Sequence, residues 1–406
     1  MLSPRTRHPS SPALRLLRRA FLAPDAAATL VAWRDRLAAG GIVREIAATA
    51  DLRRALPWLA DALGRAGILD RLPLDERRLL LAAHLSAAET ADRAARTLLP
   101  LGAALAPGTP VLLLKGAALH GALYAEASLR PLSDIDAYVP PAHAPALRTA
   151  LATAGLASDP LTAARWADYD ASGGRAHRLS DLLAHPVSGR GLTVEVKLDP
   201  VQVGVPLRHG ERFLEGATPS RRYPGFLVPS PEALAVQQAV HLARHDGTDL
   251  VWWAELAHGI ARATARGAFD RDRVDALVAG EGLLGTVRAA FTEADALFPG
   301  TVPRAVRAAP GRGAVLRRFR RRTASARPPD EAAATWGLQA AHAVGAGRAG
   351  PLVGSLLRRV WPGAAYVRAR LGLSADAPVG WRARFARLAR LARPARVGDP
   401  GPGGSR

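Results

Sequence analysis

The sequence predicts an α+β protein, a strand-bearing core set between helical segments. Three stretches carry the strand pattern. Val111-Leu112-Leu113-Leu114 is an apolar run that stops at Lys115-Gly116, residues 133–139 alternate, and Gly191–Asp199 alternates without a fault. On both sides of these stretches, apolar residues recur at helical spacing in alanine-rich sequence, which favours helix.

Composition bounds the rest. A chain of 406 residues has room for two or three domains or one elaborated domain. Hydrophobic content of 49% beside 22% charged residues describes a soluble globular protein with ample core. No uninterrupted apolar run reaches the ~18 residues that a bilayer span needs. The absence of cysteine excludes disulfides and thiolate metal sites and fits a reducing compartment, so the expected location is cytoplasmic. A net charge of +20 admits nucleic-acid binding through a basic surface. That charge is spread along the chain, however, and aromatics are 5% of residues, without a recognised nucleic-acid-binding signature.

Taken in order, residues 1–25 read as a flexible basic N-terminus. Arg15, Arg18 and Arg19 lie around Leu16, Leu17 and Phe21, a pattern for a short amphipathic helix after a tail, and no signal-peptide apolar region is present. Residues 26–105 form a helical region, with apolar spacing through Leu30, Trp33 and Leu37, then Leu79–Leu85 and Leu98–Leu105. Gly40-Gly41 and Pro57 mark its breaks, and nothing in it carries evident chemistry.

Residues 106–205 are the expected core. In a strand, alternate side chains share a face, so Asp134, Asp136 and Tyr138 lie together while Ile135, Ala137 and Val139 face the core. Two carboxylates one residue apart make an oxygen-rich site suited to Mg²⁺. Pro140-Pro141 turns the chain into a helix over residues 142–155. Residues 158–190 read as a polar, loop-rich insertion holding Asp168-Tyr169-Asp170, His177 and His185. In the third stretch Val194, Val196 and Leu198 form an apolar face and Thr193, Glu195, Lys197 and Asp199 a polar one. Its plain reading is a half-buried strand with a solvated outer face. The sharper reading brings Glu195 beside Asp134 and Asp136 as a third carboxylate. One oddity favours the sharper reading: of 55 basic residues two are lysines, Lys115 and Lys197, and both fall in these motifs. Lysine is a compact point charge and arginine a planar fork, so neither replaces the other freely at a phosphate site.

Residues 206–300 form a helical region packing on the core. His241 and His245, four apart, share a helix face at metal-ligand spacing but lack a third ligand, and Trp252 and Trp253 read as packing residues. Residues 301–330 are a basic linker, with Arg312, Arg317, Arg318 and Arg320–Arg322 close together. A C-terminal helical segment covers residues 331–395, and residues 396–406 are expected to be disordered.

The run from Leu114 to Leu119, then Arg130, then Ser133-Asp134-Ile135-Asp136, resembles the uncharacterised nucleotidyltransferase family of the polymerase-beta superfamily. It is more distantly similar to the nucleotidyltransferase toxins of type IV toxin–antitoxin systems. The resemblance continues through His241–His245, Val251–Ala257 and Trp361–Leu371. It implies a polymerase-beta-like core, a small mixed sheet with helices on one side, flanked here by helical segments. It implies two Mg²⁺ ions held by Asp134, Asp136 and Glu195 as the catalytic carboxylates, Glu195 also taking the acceptor's proton. Lys115, Gly116, Arg130 and Lys197 would then bind nucleotide phosphate. The chain departs from the pattern at Val196-Lys197, where many members have Leu-His, and at Lys115-Gly116, where the superfamily more often has Gly-Ser. The implied activity is two-metal, in-line transfer of NMP from an NTP to an unidentified hydroxyl or phosphate acceptor on RNA, protein or a small molecule. Two other readings stand beside it: a catalytically inactive nucleotide- or partner-binding protein on the same fold, and a basic RNA-binding scaffold.

Overall fold

A computed structural model describes residues 11–50, 52–171, 182–201, 207–245, 249–307, 347, 364–374 and 377–380. His177, the arginine-rich stretch from residue 312 and the tail from residue 396 lie outside the described residues. The described chain is α+β, as the sequence predicts. Six helices come first: α1 (Pro12–Ala20), α2 (Ala26–Ala32), α3 (Arg34–Ala38), α4 (Ile42–Ala48), α5 (Leu56–Arg65) and α6 (Leu74–Ala104). The core follows as β1 (Leu112–Leu113), α7 (Lys115–Leu119), β2 (Ile135–Tyr138), α8 (Ala144–Thr153), β3 (Leu156–Ser158), α9 (Pro160–Ala171), β4 (Leu182–Pro186) and β5 (Val194–Lys197). After it come β6 (Thr218–Pro219), β7 (Leu227–Val228), α10 (Pro231–Arg244), α11 (Leu250–Ala265), α12 (Arg271–Val278), α13 (Leu284–Leu297) and α14 (Ala364–Leu371).

The seven strands form one mixed sheet in the order β3-β4-β5-β2-β1-β7-β6. At its centre β2 and β5 run parallel, with Ile135 opposite Val194 and Asp136 opposite Glu195. β1 lies antiparallel on the other side of β2, and Leu114 donates its backbone N–H to Asp136 O at 2.9 Å.

Alternation along these strands feeds two cores. Val111, Leu113, Ile135, Ala137, Val139, Val194 and Val196 meet α6 and α8 on one face. Leu112, Leu114 and Tyr138 join the N-terminal helices, α10, α11 and α13 on the other. The expected arrangement, with helices on one side, is therefore corrected: the central strands are covered on both faces. For β1, the continuous apolar run Val111–Leu114 is what such burial requires.

Two further expectations change. The stretch 158–190 is not a loop-rich insertion in its described part, since α9 and the sheet strand β4 occupy it. Tyr169 is buried on α9 beside Trp166, and Asp170 pairs with Arg148 at the surface. His185, on β4, meets Thr193 and Asp159 and not the carboxylate cluster. The short amphipathic helix expected after the basic tail is present as α1. Ser11 caps α1, and Leu16, Leu17, Phe21 and Leu22 are buried in the core shared with α10, α11 and α13, where Phe21 meets Trp58 edge-on. Finally, the helical region after residue 206 lends the sheet two strands of two residues each, too short for any periodicity to reveal.

Helix α6 positions the strand that carries Glu195. Its Arg93 guanidinium donates to Gly191 O at 2.7 Å, and Thr97 Oγ accepts the Leu192 N–H at 2.8 Å. At the far end of α6, Gly102 lies directly under the loop before β7. A Cβ built there would sit 2.1 Å from Pro224 O, a backbone atom that cannot turn away. Gly102→Ala is expected to destabilise the protein by roughly 1–3 kcal/mol through overpacking, measured by denaturant unfolding. A neutral result would show that this helix–loop contact is not tight.

Candidate active site

Three carboxylates converge at the β2–β5 pair. Asp136 and Glu195 are register partners on the paired strands, and Asp134 stands just before β2 on the same side. One carboxylate oxygen from each falls within 4.8 Å of the others. Ser133 Oγ donates to Asp134 Oδ1 at 3.0 Å, and Asp134 stays half-buried while Asp136 is buried. Burial pushes the Glu195 carboxyl up, Lys197 pulls it down, and Asp136 and Asp134 push it up again; the balance lies above the usual carboxylate range. An oxygen-only donor set whose members repel one another fits a hard divalent cation.

The two lysines meet at this cluster. Lys115 Nζ donates to Asp136 Oδ1 at 2.7 Å. Lys197 Nζ lies 3.3 Å from the same oxygen and donates to Glu195 Oε2. Lys115 holds a left-handed backbone, φ +47°, where a side chain is disfavoured, so the turn stores about 1 kcal/mol or more to point its ammonium inward. The next residue must be small. A Cβ on Gly116 would lie 2.5 Å from Leu132 and 3.2 Å from Arg130 Nη1. The helix that Gly116 sits in, α7, is a single turn of five residues.

Arg130 reaches the site but is committed on its other side. Its Nε donates to Glu255 Oε1 at 2.7 Å, Nη2 to Oε2 at 3.3 Å, and Nη1 to Pro131 O at 2.9 Å. Tyr124 O–H donates to the same Glu255 at 2.9 Å. The pair is buried and ties the loop before β2 to α11. Behind it, His120 Nε2 faces Arg130 O at 3.0 Å. A carbonyl only accepts, so Nε2 carries the proton and Nδ1 accepts from Tyr223 O–H at 3.0 Å.

A cavity of about 340 Å³ is also walled by residues from the flanking helical regions. These are Arg54, Gln237, His241, Arg244 and Trp252, with Lys115, Asp134, Asp136, Glu195 and Lys197 opposite. Arg54 comes from the N-terminal helical region in which no chemistry was expected, and it lies over the Trp252 ring while pairing with Asp249 at 3.6 Å. Trp253 packs in the core as expected, whereas Trp252 faces the cavity. His241 and His245 do share a face, 4.4 Å between ring centroids, and among the described residues no third ligand joins them. Burial first, then Lys115, pushes His241 well below its usual value, so it is neutral at pH 7. The i, i+4 histidines were the available signal for this wall; nothing in local sequence pointed to Arg54.

Three carboxylates at the β2–β5 pair, facing a cavity lined by Lys115, Arg54 and Arg244, form a group that could hold a metal ion. Residues 43–299, over half of the chain, match the family described as uncharacterised nucleotidyltransferase, and the chain belongs to that family. The protein is thus a nucleotidyltransferase by family, with an NTP as the implied substrate and a divalent metal as the implied cofactor. No curated protein and no solved structure matches it. Among the described residues, no helix is long and apolar enough to cross a membrane.

Two predictions follow from the buried network. Glu255→Gln strands the Arg130 charge in the interior and is expected to cost roughly 3–5 kcal/mol in denaturant unfolding, with much of that recovered when Arg130→Met is added. Burial drives His120 down to about 4, so between that value and the unfolded 6.5 the unfolded state binds the extra proton and stability falls as pH falls. His120 is expected to make the protein roughly 2 kcal/mol less stable at pH 5 than at pH 7. In His120→Gln the difference between unfolding at the two pH values should shrink by about that amount.

Proposed function

We propose that the protein moves NMP from an NTP to a hydroxyl or phosphate acceptor in a Mg²⁺-dependent, in-line displacement. The observation that carries this reading is the meeting of Asp134, Asp136 and Glu195 within 4.8 Å on the wall of a cavity lined by Lys115, Arg54 and Arg244. The acceptor oxygen bonds to the α-phosphorus, the bond to the bridging oxygen breaks, and pyrophosphate leaves with that electron pair. Asp134, Asp136 and Glu195 are the residues that would hold the divalent ions, two in the scheme that the family resemblance implies. When bound, such ions supply the positive charge that stabilises the attacking and leaving oxygens.

The chain's own groups do the rest. Glu195, with a raised proton affinity, is suited to take the acceptor's proton at its carboxylate. Lys115 is about one-fifth exposed on the cavity side and is the ammonium best placed to move from Asp136 to a triphosphate. Gly116 lets Leu132 and the Arg130 guanidinium pack directly against this turn. Arg130, held by Glu255, fixes the wall and shares its remaining charge with the cavity. A cavity of about 340 Å³ is in the range of small-ligand sites, so the acceptor would reach the nucleotide from the mouth.

A second reading, nucleotide binding without transfer, is favoured by one observation: two ammonium groups already neutralise Asp136. One experiment separates the readings. Calorimetry with each of the four NTPs, with and without Mg²⁺, is expected to show metal-dependent binding that weakens at least tenfold in Asp134→Ala/Asp136→Ala. Incubation with α-labelled NTP and candidate acceptors then reads transfer. Binding without label transfer to RNA, protein or small hydroxyl compounds would favour the silent module, and no binding by folded wild type would count against both.

A further inference from the structure

We infer that the Lys197 ammonium takes the place of one of the two divalent ions that the family resemblance implies, so that the site accepts a single divalent ion. The inference rests on the nucleotidyltransferase reading and specifies how its cationic charge is supplied.

Geometry comes first. Asp136 and Glu195 are direct register partners, and Lys197 Nζ reaches both, at 3.3 Å from Asp136 Oδ1 and in a hydrogen bond to Glu195 Oε2. A cation therefore already lies between the two carboxylates that a pair of bridged ions would need to share. An ammonium and a divalent ion cannot occupy that space together.

Burial restricts where this side chain can go. Lys197 is 2% exposed, against 22% for the Lys115 side chain. It projects from β5 beside its register partner Tyr138, itself buried. Taking an ammonium out of water is costly, and the carboxylates of Asp136 and Glu195 offset it here. If Lys197 withdrew to admit an ion, it would give up its contacts with Asp136 and Glu195 while its charge stayed buried. Lys115, at the cavity edge, is free of this constraint and can follow the substrate.

Charge points the same way. Three carboxylates face two ammonium groups, leaving one net negative charge. One divalent ion reverses this to one net positive charge, suited to a polyanionic substrate. Two would leave three positive charges in a largely buried site. Asp134, half-buried like Glu195 and held by Ser133 Oγ, supplies an accessible oxygen for the single ion. The choice of lysine fits as well: a point charge bridges two acceptor oxygens where a planar guanidinium would impose its own fork.

The test counts ions on the full chain. Mn²⁺ is titrated by equilibrium dialysis and by electron paramagnetic resonance, alone and with an α,β-methylene NTP analogue. Wild type is expected to take one Mn²⁺ per chain with the spectrum of an isolated ion. Lys197→Met, folded by circular dichroism, is expected to take two with the signature of a coupled pair. Two coupled ions in wild type would overturn the inference and leave the nucleotidyltransferase reading standing. A single ion in folded Lys197→Met would also overturn it, because Lys197 would not set the count. No Mn²⁺ on either protein, with the analogue present, would overturn both. The wild-type count decides alone if Lys197→Met fails to fold.

Discussion

The parallel pairing of β2 with β5 is the constraint on which the rest of this structure depends. It sets Asp136 opposite Glu195 and Tyr138 opposite Lys197, and a slip of β5 by one residue would send Glu195 and Lys197 to the wrong face. Residues 139–193 intervene between the two strands, and α8, β3, α9 and β4 fill the described part of that connection. β4 pairs antiparallel with β5 on its outer side, and α6 holds the lead into β5 through Arg93 and Thr97. The register is thus pinned from two directions before any site residue is counted.

That pairing creates an electrostatic problem which the neighbouring residues answer. Three carboxylates within 4.8 Å repel, and burial of Glu195 adds to the cost of ionising it. Lys115 and Lys197 offset this from opposite ends of the cluster, one from a strained turn at the cavity edge and one from inside β5. A second, separate ion pair, Arg130 with Glu255, is stabilised by Tyr124 and braced by the His120–Tyr223 contact. Breaking one partner of such a pair costs far more than the intact pair contributes. The first set handles charge that a substrate can reach; the second holds the sheet loop against the helical wall.

Much of this was legible locally. Period-two alternation in residues 133–139 and 191–199 correctly separated Ile135, Ala137, Val194 and Val196, which are buried in one core, from Asp136, Glu195 and Lys197. The placement of both lysines in the strand motifs marked the cluster, and they do meet there. Other features escaped for stated reasons. The half-buried-strand reading expected a solvated outer face, but α10 and α11 cover that side, so Lys197 is buried. Polar composition hid α9 and β4, whose burial comes from a minority of residues such as Trp166, Tyr169 and Ala184. β6 and β7 have two residues each and exist because β1 offers them an edge.

What the sequence determined by itself is the set of elements with a strong period, the family of the core, and the identity of the charged residues that alternation places together. These are properties of neighbours along the chain, set by backbone geometry and side-chain size. Tertiary structure alone decided that Arg54, more than a hundred residues before Glu195, faces the same cavity as Trp252 and Arg244. It also decided that Arg130 is held by Glu255 and that Lys197 lies between two carboxylates. Those outcomes depend on which surfaces exclude water from one another, and the energy of a buried charge is set by partners that no local spacing reveals.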